Sequence, residues 1–325
     1  MAFLLLLSGC RQKELVYPES SLIDITIRFD WSHSQGGSAK GMTVIFYPEN
    51  DEGRIWRFEL SGDQGGVVSI PLGNYRMLAF NNDTKYISYN GVSNPDTYTA
   101  STSTTYPDWP DSVLDEFPQL SDYMNYHSPD PLYCGIVDSV EISLCSVRYI
   151  SDSETTSGDL GENVKECGNH VIKCMIYPRT SNYTCIFKNV ENIEGVSRCY
   201  CVLSGFSMSE LIASGRLLSD EAAYTFAASV IDNDIKGSTV AFGSVPDKGD
   251  KYLYLICVMR DGLVKANKYY VTDQIKNSID VRNVIIVIDG LVLPAVNPDS
   301  PDDGDTGFDV DVNDWEDVII NIIVK

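Results

Sequence analysis

Apolar residues in this chain recur at every second position, a period typical of β-strands with one buried face. The segment 22–31 shows the pattern most clearly, with isoleucines and aromatic residues on one face and mostly polar residues on the other. Further strand-like segments follow at 42–47, 55–60, 67–70 and 74–80, separated by clusters of Gly, Asn, Asp and Pro. Short strands at this spacing predict an all-β sandwich or barrel rather than alternating strands and helices.

The rest of the chain continues in the same style and contains one clear hairpin. Asp261 and Gly262 separate the apolar segments 251–260 and 263–271, and an Asp-Gly pair tolerates the positive backbone angles of a tight turn. The segment 284–288 is apolar throughout, so we expect it at the centre of a sheet or beneath both layers. The other strands are expected at 97–105, 132–137, 140–144, 170–177, 185–187, 198–203, 224–228 and 238–242.

Two short helices are expected among these strands. The first is predicted at 112–117, in a proline-rich stretch. The second is predicted to start at Ser207, because a serine three residues ahead of a glutamate, here Glu210, forms a capping box that satisfies exposed backbone N–H groups. That helix would run through Ala213.

Length and shifts in composition indicate two domains. A chain of 325 residues suggests about two domains. A long irregular stretch interrupts the first set of strands, and a polar loop at 151–162 marks the predicted boundary. The predicted organisation is a signal peptide at 1–9, an N-terminal β-sandwich at 10–160 containing an insertion at 91–131, a C-terminal β-sandwich at 161–296, a Pro/Asp linker at 297–307 and a C-terminal strand segment at 308–325.

The first ten residues are typical of a lipoprotein export signal. An apolar run ends in Leu7, Ser8, Gly9 and Cys10, and small residues before a cysteine fit the peptidase that releases the signal. Cleavage between Gly9 and Cys10 leaves an acylated Cys10 as the first mature residue, with each buried methylene contributing about 0.8 kcal/mol to membrane binding. No Lys or Arg precedes the run, so an apolar N-terminus with an incidental cysteine is the alternative.

The acidic composition limits the partners of this chain. Its formal net charge is -22, which repels phosphate backbones, so we expect no nucleic-acid binding. After residue 10 no apolar run approaches the roughly 20 residues of a membrane-spanning helix. Membrane association is therefore expected through the lipid alone.

The chain contains nine cysteines. Without the lipidated one an even number remains, which fits disulfides in an oxidising compartment. Most of them lie inside apolar strand segments, where a free thiol behaves as a small hydrophobe, and we favour free core thiols. These residues are Cys134, Cys145, Cys167, Cys174, Cys185, Cys199, Cys201 and Cys257.

Motifs for catalysis or for a resident metal ion are absent. No nucleophile elbow, zinc-protease motif or phosphate-binding glycine loop occurs, so we predict no catalytic residues and no cofactor. Cys167, His170 and Cys174 have a spacing that could hold zinc, but ordinary strand alternation explains them and no metal site is predicted. Acidic loops starting at Asp232 and Asp309 imitate calcium loops without the required glycine and glutamate.

Two segments are candidates for binding. The insertion gathers Tyr106, Trp109, Tyr123 and Tyr126, which would suit an aromatic binding surface. The segment 308–325 is an apolar strand on a linker; it either closes its own sheet or inserts into a neighbouring molecule by strand addition. The residues of the possible donor strand are Phe308, Val310, Val312, Val318, Ile320, Ile322 and Val324.

Several short sequence motifs of strands and turns occur together along the chain. They are Phe-Asp-Trp at 29–31, Gly-Asn-Tyr at 73–75, Phe-Asn-Asn at 80–82 and the motifs at 128–133, 187–193, 203–205 and 307–312. In this combination, over most of residues 10–325, the chain resembles the fimbrillin-like lipoproteins of Bacteroidales, specifically a domain family of unassigned function close to the fimbrial anchor subunits.

That resemblance implies two tandem transthyretin-like or immunoglobulin-like β-sandwiches, a lipid anchor at Cys10 and a place in the outer membrane at the cell surface. It also implies that other fimbrial subunits are partners through strand exchange, with 308–324 as the matching strand segment. In stalk subunits of that superfamily an arginine-directed protease removes the first strand. Arg28 is the only arginine in the first strand here, and a retained acylated N-terminus suits an anchor instead.

The leading hypothesis is therefore a non-enzymatic, lipid-anchored protein of the cell envelope that acts as an anchor or accessory subunit of a fimbria. The alternative is a monomeric surface lipoprotein that binds a glycan or host ligand through the 91–131 insertion. A third and weaker hypothesis is an envelope hydrolase that uses a pair of carboxylates.

Overall fold

The computed structural model describes residues 22–34, 36–50, 53–107, 110, 112–122, 125–144, 147–150, 170–218, 221–244 and 249–296. These residues are mostly strand, which confirms the predicted all-β fold with short helices. They divide into two compact units. Unit 1 contains the described residues up to Ala100, Asp130–Arg179 and Glu210–Arg216, and unit 2 contains Ser101–Pro129, Thr180–Ser209 and the described residues from Leu217 onward.

The elements before residue 180 belong mostly to unit 1. In chain order they are β1 (Leu22–Asp30), β2 (Gly41–Pro48), β3 (Trp56–Ser61), β4 (Gly65–Pro71), β5 (Gly73–Asn81), β6 (Ile87–Asn90), β7 (Thr99–Thr102), α1 (Ser112–Glu116), α2 (Gln119–Asp122), β8 (Asn125–Tyr126), β9 (Tyr133–Ile142), β10 (Val147–Ile150), β11 (Val171–Met175) and β12 (Tyr177–Pro178).

The elements after residue 180 form most of unit 2. They are β13 (Ser181–Lys188), β14 (Val196–Ser207), β15 (Ser209–Leu211), β16 (Arg216–Leu217), β17 (Glu221–Ile231), β18 (Asp234–Ala241), β19 (Tyr252–Met259), β20 (Val264–Tyr270), α3 (Thr272–Lys276) and β21 (Asn283–Asp289).

Unit 1 is a sandwich of two sheets around one hydrophobic core. In the smaller sheet β1 lies between β11 and β4, parallel to β11 and antiparallel to β4. The larger sheet has the order β10–β9–β5–β2–β3, with β12 beside β9. Alternate apolar side chains enter the core from both sheets, as their period of two requires, with Ile25, Ile27 and Phe29 of β1 packing among Val44 and Met77 of the larger sheet.

Unit 2 is a hydrogen-bonded sheet that folds over on itself at β17. The strand order is β20–β19–β14–β17–β18–β13–β21, and β8 adds to β17. Residues Glu221 to Ala228 of β17 pair with β14, whereas Ala228 to Ile231 pair with β18. Because β17 changes partners at Ala228, the sheet turns a corner and encloses a core between its two halves. The core includes Tyr183, Cys185, Phe187, Cys201, Leu203, Tyr224, Leu255 and Ile286.

Two local predictions are confirmed. Asp261 and Gly262 lie in the turn between β19 and β20, which are antiparallel with Val258 opposite Val264. Gly262 has φ of 80°, a left-handed conformation that glycine adopts without strain. The helix expected at 112–117 is α1.

The helix predicted from Ser207 is wrong. β14 continues to Ser207 and β15 follows almost at once, within a four-stranded sheet of order β16–β15–β7–β6. The Ser207 hydroxyl lies 2.6 Å from the carbonyl oxygen of Ser209 and 2.7 Å from that of Leu218, so it stabilises a bend between strands. Glu210 is 2% exposed, whereas a capping-box glutamate lies at a solvated helix start.

Three strand predictions also need correction. The expected strand at 97–105 shortens to β7, preceded by a 3₁₀ turn at Pro95–Thr97. The two strands expected at 132–137 and 140–144 are one continuous strand, β9. The apolar segment 284–288 belongs to β21, which lies at the end of the unit 2 strand order rather than at its centre.

The division into units differs from the predicted boundary near residue 160. β11 follows that boundary but belongs to unit 1, because it pairs with β1 across a long sequence separation. The helices of the insertion belong to unit 2, because their apolar residues pack on that unit's sheet. Within the described residues no helix is both long and apolar enough to cross a bilayer.

Candidate interaction surfaces

The first strand is the central strand of its sheet. β1 pairs with β4 from Leu22 to Arg28 and with β11 from Thr26 to Asp30. The Thr26 N–H donates to the His170 carbonyl over 2.8 Å. The Arg28 side chain is exposed on the solvent face, but its backbone lies between two paired strands. Removing β1 would therefore open a groove between β4 and β11 that is lined by the unit 1 core.

The end of β1 is fixed by an ion pair and backbone bonds. The Asp30 carboxylate lies 2.7 Å from the Lys173 ammonium and accepts from the Ser32 N–H over 2.9 Å. These contacts, the Lys173 bond foremost, hold the pKa of Asp30 well below its ordinary value. The Asp30 carbonyl also accepts from the Ile176 N–H over 2.9 Å. The first strand is thus held on both sides and at its end.

The insertion covers the outer face of the unit 2 sheet. Val113 and Leu120 from the two helices are buried against sheet residues such as Val202 and Ile256. The Phe117 ring meets the Tyr254 ring edge to face, with centroids 5.6 Å apart. Burial of these side chains makes the helices a structural cover for the sheet.

The aromatic residues of the insertion do not share one surface. Tyr106 is 95% exposed, whereas Tyr126 is 5% exposed and packs in the unit 2 core, since β8 pairs with β17. Trp109 and Tyr123 lie outside the described residues. The lipidation motif with Gly9 and Cys10 also lies outside them, as does the possible donor strand 308–325.

β21 forms an edge that sequence reasoning missed. Among the described strands it pairs with β13 alone. Its even-numbered residues bond to β13: the Asn182 N–H donates to the Arg282 carbonyl over 2.7 Å, and the Gly290 N–H donates to the Lys188 carbonyl over 3.2 Å. The backbone groups of its odd-numbered residues therefore face away from the sheet.

Side chains bond to this outward edge on either side of Ile285. The Gln274 amide acts like a short neighbouring strand, since Nε2 donates to the Val287 carbonyl over 3.0 Å and Oε1 accepts from the Val287 N–H over 2.8 Å. Asp280 accepts from the Asn283 N–H over 3.1 Å. The Asn283 side-chain amide and neighbouring backbone N–H groups lower the pKa of Asp280. The outward N–H of Asn283 and both outward backbone groups of Val287 are thus satisfied.

The middle of the edge is open and apolar. Within the described part of the chain, the outward N–H and C=O of Ile285 have no hydrogen-bond partner. The Ile285 side chain is 58% exposed, Val281 is 68% exposed and Ile279 is fully exposed. A groove of about 580 Å³ runs past Gln274, Asn277, Ile279 and Ile285. This geometry can accept an extended peptide with apolar side chains.

A second concave region lies in unit 1, where β2 leads to β3 and β4 leads to β5. It is a cleft of about 540 Å³ lined by Trp56, Leu72, Arg54, Glu49 and Asn74, among others. The Arg54 guanidinium lies 4.6 Å from the centroid of the Trp56 ring. An aromatic ring beside carboxylate, amide and guanidinium groups offers the contacts that a polar organic ligand requires.

A model of a domain of unknown function, DUF5119, matches residues 9–227. The chain belongs to the DUF5119 family. The DUF5119 chain is also 25% identical over 210 residues to a Bacteroides ovatus protein named "Putative fimbrium anchoring subunit Fim4B". That alignment covers 63% of this chain and 55% of the relative, so the chain spans about half the length of the curated relative it matches.

The fold of the DUF5119 chain recurs in a crystal structure. A Bacteroides ovatus protein described as a "putative adhesin" superposes with a TM-score of 0.63 at 20% identity, covering 90% of this chain and 99% of that one. This likeness shows a shared all-β fold. The names of both relatives are those of fimbrial and adhesion proteins rather than enzymes.

The described cysteines of the DUF5119 chain are buried free thiols. Burial raises the pKa of Cys134 to about 11 and that of Cys185 to about 12, which keeps both protonated and unreactive at neutral pH. Cys199 and Cys257 lie opposite each other on β14 and β19 and remain free. The favoured interpretation of core thiols is thus confirmed for the described residues Cys134, Cys174, Cys185, Cys199, Cys201 and Cys257.

The described candidate metal residues have structural roles instead. His170 holds β1 through its carbonyl, and Cys174 is buried in the unit 1 core, while Cys167 lies outside the described residues. Asp232 lies in the tight turn between β17 and β18, with φ of 56°. Within the described residues no group of three or more His, Cys, Asp or Glu side chains is placed to hold a metal ion.

Proposed function

We propose that this DUF5119 chain is a lipid-anchored protein of the cell envelope that acts as an anchor or accessory subunit of a fimbria. The observation that carries the proposal is the position of β1, the first described strand after Cys10, at the centre of the unit 1 sheet. A lipid at Cys10 would thus be attached 12 residues upstream of the first residue of a strand that is hydrogen-bonded on both sides. The sequence relationship to a named fimbrium anchoring subunit supports the same role.

The placement of β1 favours an anchor over a stalk subunit. A force applied through the lipid would pull β1 along its own axis, so that its ladder bonds to β4 and β11 are loaded together rather than one at a time. Losing β1 would expose the side chains of Ile25, Ile27 and Phe29, all of them buried. An anchor gains from keeping this strand, because it connects the membrane to the folded unit.

Assembly with other fimbrial subunits is proposed to use strand addition by the segment 308–324. Alternate apolar residues in this segment, such as Ile320 and Ile322, would fill pockets of an acceptor sheet while its main chain bonds to the sheet edge. The outer membrane and the cell surface are the proposed location, since fimbriae act outside the cell.

The lipid anchor is tested by growing cells on labelled palmitate. Wild-type protein should carry label and sediment with membranes, whereas Cys10→Ser should carry none and remain in the soluble fraction. Ser8→Ala keeps a small residue at the signal end and should behave like the wild type. An unlabelled wild-type protein that washes out of broken cells would refute the anchor.

Strand addition is tested separately in whole cells. A photo-crosslinker at Ile322 should yield adducts with other fimbrial subunits, whereas the same crosslinker at Asp305 in the linker should yield few. Deleting 308–325 should leave a membrane-bound protein that no longer joins fimbriae. Normal assembly of the truncated protein would show that the segment is dispensable.

The cleft beside Trp56 supports a second candidate function, the binding of a glycan or host ligand by a monomeric surface protein. Sugars commonly stack on an aromatic ring while amide and charged groups bind their hydroxyls. A soluble cell-wall polysaccharide from the host environment should bind Trp56→Ala and Asn74→Ala with lower affinity than it binds the wild type. Trp31→Phe, in the same unit but outside the cleft, is the control, and equal binding by all variants would refute this function.

A further inference from the structure

We propose that the edge of β21 is the docking site of residues 318–324 of the same chain. Docking would add a strand beside Ile285 in the free subunit. The inference goes beyond the proposed function, because it concerns where the segment rests and holds whether or not the segment is later donated to a neighbour.

The edge lacks the usual protection against a further strand. Exposed edges are normally blocked by charged residues, proline or bulges, yet residues 284–288 read Val-Ile-Ile-Val-Ile without any of these. Ile285 presents a free N–H and a free C=O between the Asn283 N–H, which is bonded to Asp280, and the Val287 N–H and C=O, which are bonded to Gln274. An added strand can therefore form a pair of backbone bonds centred on Ile285.

Apolar surface lies on both sides of this position. On the solvent face Ile279 and Ile285 line the groove, and on the inner face Ile288 is a partly buried neighbour of the unit 2 core. A strand added here would meet apolar side chains on both of its faces, Ile279 and Ile285 on one and Ile288 on the other. Such strands are apolar at nearly every position rather than at alternate positions.

The segment 318–324 has that composition. It reads Val-Ile-Ile-Asn-Ile-Ile-Val, with apolar residues on both faces and a single polar residue, Asn321. Other strand-like segments, such as β1, carry polar residues on one face. The segment is thus suited to the two-sided site at β21.

The chain that joins β21 to the segment 318–324 is long enough for the segment to reach the edge of its own subunit. The described chain passes from β21 to Val296, and residues 297–317 would span roughly 70 Å when fully extended, far more than the width of one unit. A tethered segment also has an effective concentration in the range of about 1 mM. Docking within one chain is therefore favoured over pairing with a second copy, whose acidic surface repels it at a net charge of -22.

Amide hydrogen exchange on the full chain tests this proposal. The Ile285 N–H should exchange at least about tenfold more slowly in the wild type than in Ile322→Asp, which adds a charge to the segment and removes an apolar side chain. Asn321→Asp adds the same charge at the polar position and should keep most of the protection. Ile285→Pro removes the outward N–H and should speed exchange of the amides of 318–324.

The outcomes separate the possible occupants. A wild-type Ile285 amide that exchanges without protection overturns the proposal. So does protection that survives Ile322→Asp, because another group then covers the edge. Protection that rises with protein concentration would assign the strand to a second copy. If Ile285→Pro fails to fold, the comparison of Ile322→Asp with Asn321→Asp still decides the question.

Discussion

β1 and β21 are strands of two sandwiches, and each has one parallel partner, yet they occupy opposite positions. β1 alternates apolar and polar residues and lies at the centre of its sheet, with β4 on its other side. β21 is apolar throughout residues 284–288 and lies at the end of its described sheet. Hydrophobic pattern therefore determines how many faces of a strand are suited to burial, whereas long-range pairing determines whether its edges are filled.

A proline in each strand should give the largest contrast between them. Thr26→Pro removes the bond to the His170 carbonyl in a central strand and should cost unit 1 about 3 kcal/mol or more of unfolding free energy. In an Ile322→Asp background, where the edge should stay open, Ile285→Pro lies at an outward N–H and should cost less than about 1 kcal/mol. Urea unfolding followed by circular dichroism measures both. Equal losses would show that the β21 edge is as fully paired as β1.

Truncation of one isoleucine in each strand gives the next contrast. Ile27 is 1% exposed, so Ile27→Ala should lower the unfolding free energy by about 2–5 kcal/mol through lost burial and a residual cavity. In the Ile322→Asp background, where no strand should cover the edge, Ile285→Ala should change it by about 0.5 kcal/mol or less, as for other surface positions. The same urea titrations measure this pair. A loss above 2 kcal/mol for Ile285→Ala in that background would mean that Ile285 is buried even without the docked segment.

Local sequence predicts some of these strands but not how distant strands pair. The period of two identified β1, and the Asp261–Gly262 pair identified the hairpin between β19 and β20, because both are local properties. The edge position of β21 and the entry of β11 into unit 1 depend on pairing between distant residues, for which local sequence carries no signal. The apolar run 284–288 predicts a central or doubly covered strand, because such strands have the same composition.

The candidate sites also depend on packing between distant residues rather than on local sequence. Gln274 and Asp280 carry no motif, and their roles arise only because α3 and the following turn pack beside β21. Ser207 and Glu210 satisfy a helix-capping pattern, but pairing of β15 with its neighbours outweighs that local preference. The lipidation motif at Cys10 and the segment 308–325 remain predictions, because they lie outside the described residues.

A smaller contrast concerns the aspartates at the ends of the two strands. Asp30 and Asp280 both have a lowered pKa, so their stabilisation is complete above about pH 5 and is lost as the pH falls below about 4 toward the folded values. Asp30→Asn and Asp280→Asn should each lower the melting temperature at pH 7 and change it little at pH 3. Each effect should be worth about 1 kcal/mol or less.

Salt should separate these two aspartates. Asp30 acts mainly through the Lys173 ammonium, whose side chain is 62% exposed, so 1 M NaCl should remove most of its contribution. Asp280 acts mainly through amide N–H groups, and its contribution should survive salt. Thermal melts at low and high salt measure the difference. A salt-independent effect of Asp30→Asn would contradict the ion-pair explanation.

The smallest expected effect tests how Gln274 occupies the β21 edge. In an Ile322→Asp background, where the edge should stay open, Gln274→Ala removes two bonds to Val287 that water can replace, so the unfolding free energy should fall by only about 0.5 kcal/mol. The Val287 amide should nevertheless exchange several-fold faster. Gln274→Glu keeps an acceptor for the Val287 N–H and should preserve part of that protection, because only the bond to the carbonyl is lost. Unchanged exchange in Gln274→Ala would show that another group protects Val287, and the edge would then be closed along more of its length than Gln274 explains.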